Sequence, residues 1–418
     1  MRARTFFVVV AILALGAGSF FAGRASDSKT LLSTSTTSPS TVVEGSFSPL
    51  SVDFSSVVSG WALGTSRCHA HSVCLTLSTT TNAGRSWTST PLPKALLHLA
   101  DRRVDGKQSI RYAELYGDGI QNLNVQFANA EDGWIFGSLA VSYRVNGQSS
   151  FEFHPVLWST HDGGIVWTSH PQSWMYPQGA VLALDATSHT VYLMAQNKNN
   201  DVTVESSPVG VDRWRTSDSK GLYTPAGGGP LSGSFVFSGS HGWLVEGNDR
   251  GVTGSARLST TGQWIPWRPP CAAVGDSMTV PAASSSKSLI ALCVMGGFAS
   301  PLTSAAPPGA KLGSTWLYRS DNAGRSFTAS AELGPDTEYF GPELASPSVR
   351  TSLVTSQGRT LIASFDAGRH WSTVYSGDVM FLHFISSNEG VALVQRPHRP
   401  NRLIMTFDGG HEWLPIPF

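Results

Sequence analysis

Thr80-Thr81-Asn82-Ala83-Gly84-Arg85-Ser86-Trp87 sets a pattern that returns four times along the chain. The other copies are Thr160-His161-Asp162-Gly163-Gly164-Ile165-Val166-Trp167, Ser320-Asp321-Asn322-Ala323-Gly324-Arg325-Ser326-Phe327, Ser364-Phe365-Asp366-Ala367-Gly368-Arg369-His370-Trp371 and Thr406-Phe407-Asp408-Gly409-Gly410-His411-Glu412-Trp413. Each has a small hydroxylated residue, an Asp or Asn two places on, a Gly two further and an aromatic three beyond. A unit recurring at this scale is the mark of a repeat architecture. Strand formers flank the pattern, as in Ser314-Thr315-Trp316-Leu317-Tyr318 before one copy and Ser326-Phe327-Thr328 after its turn. Between such flanks the Asp or Asn side chain can fold onto nearby backbone N–H groups, and the Gly can take positive φ. The trailing aromatic is large enough to pin the returning strand. Asn82, Asp162, Asn322, Asp366 and Asp408, with Gly84, Gly164, Gly324, Gly368 and Gly410 and with Trp87, Trp167, Phe327, Trp371 and Trp413, are therefore read as structural residues of five hairpin turns. Turn chemistry accounts for their type and spacing, so they receive no catalytic role.

A second motif accompanies the first. Phe54 precedes Gly60-Trp61, Phe127 precedes Gly133-Trp134, Phe237 precedes Gly242-Trp243, and Phe384 precedes Gly390-Val391. Each reads as a strand, a turn and a second strand opening on a bulky residue. Joined to the turn-box hairpin, this makes a four-stranded antiparallel unit that needs stacked neighbours to bury its faces. The interval from Trp167 to Phe327 holds two worn copies, one running from Val191 to Trp214 and one from Phe235 to Trp267. The count is then seven units between Phe47 and Phe418, of roughly 50 residues each, a usual blade size. The expected fold is all-β: a seven-bladed β-propeller of four-stranded antiparallel blades over residues 47–418.

The five turn boxes resemble Asp-boxes, or bacterial neuraminidase repeats, of sialidases, sortilin-type receptors, xyloglucan-degrading glycosidases and photosystem II assembly factors. The Phe…Gly-Trp strand pair and the worn middle boxes most resemble the photosystem II assembly factor-like branch. The resemblance spans nearly the whole chain after Phe47 and implies a β-propeller without implying an activity. It also implies that blade-to-blade and second-to-third-strand connections lie on the face opposite the boxes. Three insertions would crowd that face: Lys94 to Ile120, with Arg102, Arg103, Arg111, Tyr112 and Tyr116; Gly137 to His154, with Tyr143 and Arg144; and Met295 to Ser314, rich in Pro, Gly and Ala. Binding residues tend to sit on loops over a rigid scaffold, and an Arg/Tyr mixture suits a protein or glycan contact. Tolerated surface decoration is the competing reading of the same loops.

Charged residues make up 14% of the chain and the formal net charge is zero. This argues against nucleic acid or an anionic membrane as the main partner. Arg2 and Arg4 precede an apolar run from Phe6 to Phe21 and small residues up to Ala25, the layout of a secretory signal or a signal-anchor over residues 1–25. Residues 26–46, rich in Ser and Thr, read as a flexible tether. Both readings of the N-terminus place a monomeric propeller outside the cytoplasm, secreted or held at the outer face of the cytoplasmic membrane. Four cysteines suit an oxidising compartment. Cys68 and Cys74 flank a short loop and are expected to pair, and Cys271 with Cys293 would tie the fourth-to-fifth blade connection to a strand of blade 5.

Chemistry-bearing clusters are sparse. Cys68-His69-Ala70-His71-Ser72-Val73-Cys74 has zinc-ligating residue types. Four ligands within seven residues would strain a tetrahedron, however, and exported thiols oxidise. No metal or cofactor is expected. A sialidase would bring an Arg-Ile-Pro motif, and none occurs. A glycosidase with two acids on different blades is the alternative function, with Asp101, Asp105, Glu114, Asp118 and Glu152 as loop acids that nothing in the sequence pairs. The expected function is a non-enzymatic binding or scaffold module for an extracytoplasmic protein or glycan. A further alternative is an assembly factor for a membrane protein complex.

Overall fold

The computed structural model describes the chain from Phe47 to Phe418, except residues 70–71, 101–122, 146–147, 172–179, 198–200, 218–231, 249–250, 274–278, 295–306, 312–313, 336–342 and 357–359. The expected N-terminal signal or anchor and the tether lie outside the described residues. Among those residues, no helix is long and apolar enough to cross a membrane.

Seven four-stranded antiparallel sheets follow one another along the chain. Blade 1 runs from strand Ser48–Phe54 through Gly60–His69 and Ser72–Thr80 to Thr88–Thr90. Blade 2 begins at Leu123–Phe127, blade 3 at Ala180–Ala186, blade 4 at Ser232–Ser238, blade 5 at Thr279–Ala283, blade 6 at Leu344–Ala345 and blade 7 at Asp378–Phe384. In every sheet the order in space equals the order in sequence. First strands of consecutive blades touch one another from blade 1 to blade 7, which makes them the inner ring. A short helix, Lys94–Ala100, follows blade 1, and a 3-10 turn, Pro270–Ala273, follows blade 4. The insertion from Gly137 to His154, expected as a loop, instead prolongs two strands of blade 2. Asp132–Val145 and Gln148–His161 stay in register out to Val145 opposite Gln148. Alternating apolar side chains from Leu139 to Phe153 suit a pleated hairpin better than an irregular loop.

Both faces of each blade are covered, so the hydrophobic cores lie between blades. Trp61, Leu63 and Leu77 of blade 1 meet Val125, Phe127 and Ile135 of blade 2, with the Trp61 and Phe127 rings stacked 3.6 Å apart. Tyr192, Met194 and Val204 of blade 3 meet Phe235, Leu244 and Trp264 of blade 4. At the seam, Val52 and Phe54 of blade 1 pack on Val391, Leu393, Leu403 and Met405 of blade 7. The ring centroids of Phe47 and Phe418 lie 4.7 Å apart. Asn401 also donates its N–H to Ser48 Oγ at 3.0 Å and its Nδ2 to the Pro49 carbonyl at 2.9 Å. Among the described residues no strand is exchanged across this seam.

The five turn boxes share most of one hydrogen-bond scheme, the two Asn boxes sending the sixth N–H to the Asn backbone carbonyl instead of the side chain. In the last, Thr406 Oγ1 donates to Asp408 Oδ1 at 2.8 Å and accepts from Gly410 N–H at 2.9 Å, while Asp408 Oδ1 accepts from the N–H groups of His411 and Glu412, each at 3.0 Å. The fourth and fifth residues of every box both have positive φ, which Gly409 and Gly410 take freely and which Ala83, Ala323 and Ala367 also adopt. The fourth residue donates its N–H to the first turn of its own blade, as Ala83 does to Val58 and Gly409 to Asn388. The fifth docks on the preceding blade, so closely that a Cβ on Gly410 would lie 2.8 Å from Leu353. A tryptophan opening the second strand can reach the next blade's box. Trp61 Nε1 donates to Gly163 carbonyl at 3.0 Å and Trp243 Nε1 to Ala323 carbonyl at 3.3 Å. Cys271 and Cys293 form a disulfide, Cα atoms 5.3 Å apart, joining the turn after blade 4 to the second strand of blade 5. Cys74 is disulfide-bonded as well, and the side chain of Cys68 lies outside the described residues.

Candidate functional site

An antiparallel meander has two ends. First-to-second and third-to-fourth turns share one, the box end; second-to-third turns and blade-to-blade connections share the other. Arg102, Arg103, Arg111, Tyr112 and Tyr116 fall in a connection and lie outside the described residues, as do Asp101, Asp105, Glu114 and Asp118. Tyr143 and Arg144 stand near the tip of the prolonged hairpin of blade 2, opposite Ser150 and Ser149, at the end away from the boxes. Glu152 is on the same hairpin, opposite Val141. For these three the backbone alone is described.

The structure brings together a different set of polar residues, on the inner ring. A ring of inner strands has free edges whose N–H groups need acceptors. Blade 1 supplies two of them. Ser51 Oγ accepts from Val125 N–H at 3.0 Å and Asp53 Oδ2 from Phe127 N–H at 2.5 Å, at matched two-residue steps of both strands. Blade 2 returns the pattern through Gln126, whose Nε2 donates to Asp185 Oδ1 of blade 3 at 2.5 Å. Burial pushes the carboxyls of Asp53 and Asp185 up to about 7 each, against the hydrogen bonds they accept. Glu343, before the first strand of blade 6, and Glu246, in blade 4, are likewise pushed up to about 7 by burial. Acids of this kind can serve as general acids. Here Asp53 is committed to a strand-edge N–H of blade 2, and Asp185 to the Gln126 side-chain amide and the Ala186 N–H, roles that keep both fixed in the wall. The clue available in the sequence was Ser51 and Asp53 alternating with Val52 and Phe54, a polar face on a strand that the repeat pattern already placed innermost.

A second polar group joins blades 2 and 3 at the box end. His161 contacts Asp132 Oδ1 through Nδ1 and Asp212 Oδ2 through Nε2, both at 2.7 Å. Ser159 Oγ lies 2.6 Å from the same Asp212 oxygen and 2.7 Å from His170 Nε2. Although Ser, His and Asp are all present, this is not a catalytic relay. Ser159 is fully buried, and the carboxylate sits on Ser159 and on the same imidazole nitrogen rather than on the far one. Desolvation opposes ionisation of Asp212, but hydrogen bonds from His170, Ser159 and His161 hold its carboxyl well below the usual range. Desolvation also opposes charging of His161, and Asp132 and Asp212 overcome it and raise its pKa. Sequence reasoning missed this clasp, although Ser207-Pro208-Val209-Gly210-Val211-Asp212-Arg213-Trp214 keeps the first and eighth residues of the box. Asp212 takes the sixth place of that worn copy.

A cleft of about 510 Å³ opens between blades 5 and 6, with Lys287, Ser288, Arg319 and Asp321 on its walls. Arg319 is used there as a peg, donating to the Val349 carbonyl at 3.2 Å and to Ser352 Oγ at 2.7 Å. Among the described residues, no group of three or more His, Cys, Asp or Glu side chains is placed to hold a metal ion.

No protein-family profile matches the sequence, and no curated protein matches it. Solved structures do. YCF48 bound to a D1 peptide aligns with 88% of this chain and 95% of its own, at 15% identity and a TM-score of 0.50. YCF48 from Cyanidioschyzon merolae aligns over 88% and 97%, at 14% identity and a TM-score of 0.50. A puromycin hydrolase mutant complexed with PGG reaches a TM-score of 0.51 at 14% identity, over 88% of this chain and 53% of the hydrolase. Matches at these identities carry fold alone. In fold, the chain is a seven-bladed β-propeller like that of the YCF48 proteins.

Proposed function

We propose that this propeller is a non-enzymatic binding module that holds a segment of a partner protein at the end opposite the turn boxes. The observation that carries this reading is the prolonged hairpin of blade 2, which places Tyr143 and Arg144 at that end, and the likeness in fold to YCF48, one structure of which holds a D1 peptide, accords with it. Binding residues tend to sit on segments displayed by a rigid scaffold, and Tyr and Arg are residue types that recognition surfaces favour. The commitment of Asp53 and Asp185 to hydrogen bonds between neighbouring inner strands favours binding over acid catalysis. An oxidising, extracytoplasmic compartment belongs to the same proposal, supported by the Cys271–Cys293 disulfide and disulfide-bonded Cys74. A partner in a membrane complex is the form of this function nearest to an assembly factor.

The test replaces Tyr143 with photoreactive p-benzoylphenylalanine in the full-length chain, irradiates producing cells and identifies adducts by mass spectrometry. A reproducible protein adduct from Tyr143, lost when Arg144 is changed to Glu, is expected. Release of sugar from a panel of aryl glycosides by the purified protein, abolished by Asp53→Asn or Asp185→Asn, would overturn the proposal in favour of a glycosidase.

A further inference from the structure

The sister boxes act as internal controls for one another. At the sixth and seventh places four of them carry Arg85-Ser86, Arg325-Ser326, Arg369-His370 and His411-Glu412; blade 2 alone carries Ile165-Val166. The fold does not require an apolar pair there, since the backbone N–H groups of Ile165 and Val166 make the same bonds to Asp162 Oδ1, at 3.0 and 2.9 Å, that His411 and Glu412 make to Asp408. Nor is the pair buried: Ile165 is 66% exposed and Val166 63%. Exposed Val211 stands in the adjoining turn of blade 3, which Asp212 ties to this box through His161. The apolar surface is bordered by carboxylates: exposed Glu131 and Asp162, with Asp132 and Asp212 on either side of His161. The arginine that three sister boxes would set among them is missing, and the exposed arginines near Val211 in sequence are Arg213 and Arg215 of blade 3.

We propose that the box end of blades 2 and 3 is a docking surface for an extended partner segment that alternates apolar side chains with Lys or Arg. Ile165, Val166 and Val211 would take the apolar residues, and the exposed carboxylates of Glu131 and Asp162 the cations, an electrostatic match that sets orientation as well as affinity. This surface is at the opposite end of the blades from Tyr143 and Arg144, so it stands or falls apart from the function proposed above.

The decisive variant writes the sister sequence into blade 2: Ile165→Arg with Val166→Ser, in the full chain. The probes are two fluorescent decapeptides, one of repeating Leu-Lys and one of repeating Leu-Glu, titrated by anisotropy. The Leu-Lys peptide is expected to bind, more weakly as salt rises, and to lose at least ten-fold in affinity in the double variant, while the melting temperature stays within about one degree. Glu131→Lys, a surface charge reversal that leaves the apolar pair in place, is expected to weaken the same peptide several-fold. Equal binding of both peptides, no binding of Leu-Lys at millimolar concentration, or binding indifferent to either variant overturns the proposal. So does self-association of the wild type in sedimentation that the double variant abolishes, which would make a second copy of the chain the occupant.

Discussion

Trp134 is a buried indole whose Nε1 has no hydrogen-bond partner among the described residues. Its counterparts Trp61 and Trp243 each give that proton to the fourth residue of the next blade's box. Trp134 faces blade 3, where the box is worn, and the acceptor has gone with it. Trp→Phe at all three positions removes similar packing, but only at Trp61 and Trp243 does it strand a carbonyl. Trp61→Phe is therefore expected to cost about 1–2 kcal/mol more than Trp134→Phe in denaturant unfolding. Equal costs would show that the indole bonds are incidental. A second prediction rests on the left-handed fourth residue of the boxes. Gly163 and Gly409 occupy it without strain, whereas Ala83, Ala323 and Ala367 have φ of 60, 61 and 67°. Ala323→Gly should stabilise by about 0.5–1 kcal/mol, the left-handed penalty less the entropy of glycine. A loss of stability would contradict the strain argument. The sequence made the fifth-place glycines legible through turn chemistry. It did not reveal the left-handed fourth place, because alanine there hides it.

At the scale of the element, the box is both a hairpin turn and an inter-blade joint. Its hydroxyl and carboxylate close the hairpin, its fourth N–H ties the blade's first turn, and its fifth residue docks on the blade before. Blade 3 lost the box and kept a joint by other means, with Asp212 gripping Ser159 and His161 of blade 2. Asp212→Ala should loosen that interface, seen as faster hydrogen exchange in strands of blades 2 and 3 but not in blades 5 and 6. Uniform acceleration around the ring would refute a local clasp. The blade count, with two worn copies in the middle of the chain, was legible because period and turn chemistry are local. The clasp was not, since it joins residues about fifty positions apart that no repeated spacing marks. The prolonged hairpin of blade 2 was misread as a loop for a related reason: its length breaks the repeat although its alternation continues.

Across the whole molecule, the buried acids make stability depend on pH. Asp53, Asp185, Glu246 and Glu343 are pushed up to about 7 by burial, so between their ordinary pKa near 4 and about 7 the folded chain holds protons that the unfolded chain has released. Stability must then fall as pH rises through that window. His161, raised by its two aspartates, adds to the trend as it loses its proton, and buried His383, pushed down, opposes it below its ordinary value. Nearer pH 3 the box carboxylates Asp162, Asp366 and Asp408, all held low, protonate and the folded state loses again. Melting by differential scanning fluorimetry should peak close to pH 5, with a midpoint several degrees above that at pH 7.5. Asp53→Asn and Glu246→Gln should each flatten the alkaline limb. A midpoint that climbs steadily from pH 5 to 8 would rule this out. None of it was legible beforehand, since burial of an inner-strand acid depends on how neighbouring blades meet.

Among the described residues the seam between blades 7 and 1 is closed without a shared strand, by Phe47 on Phe418 and by Asn401 reaching Ser48 and Pro49. Since no strand waits for a distant partner, each blade is complete once its own stretch of chain is available, and synthesis can add blades in order with the seam formed last. The ring's history of assembly is thus the reverse of its expected failure: it should open where it closed. Phe47→Ala, which costs about 3 kcal/mol as a buried aromatic truncation, should leave individual blades intact while freeing the two ends to part. A newcomer blade, or a new pair of ends cut at another connection between blades, would leave each four-stranded sheet whole.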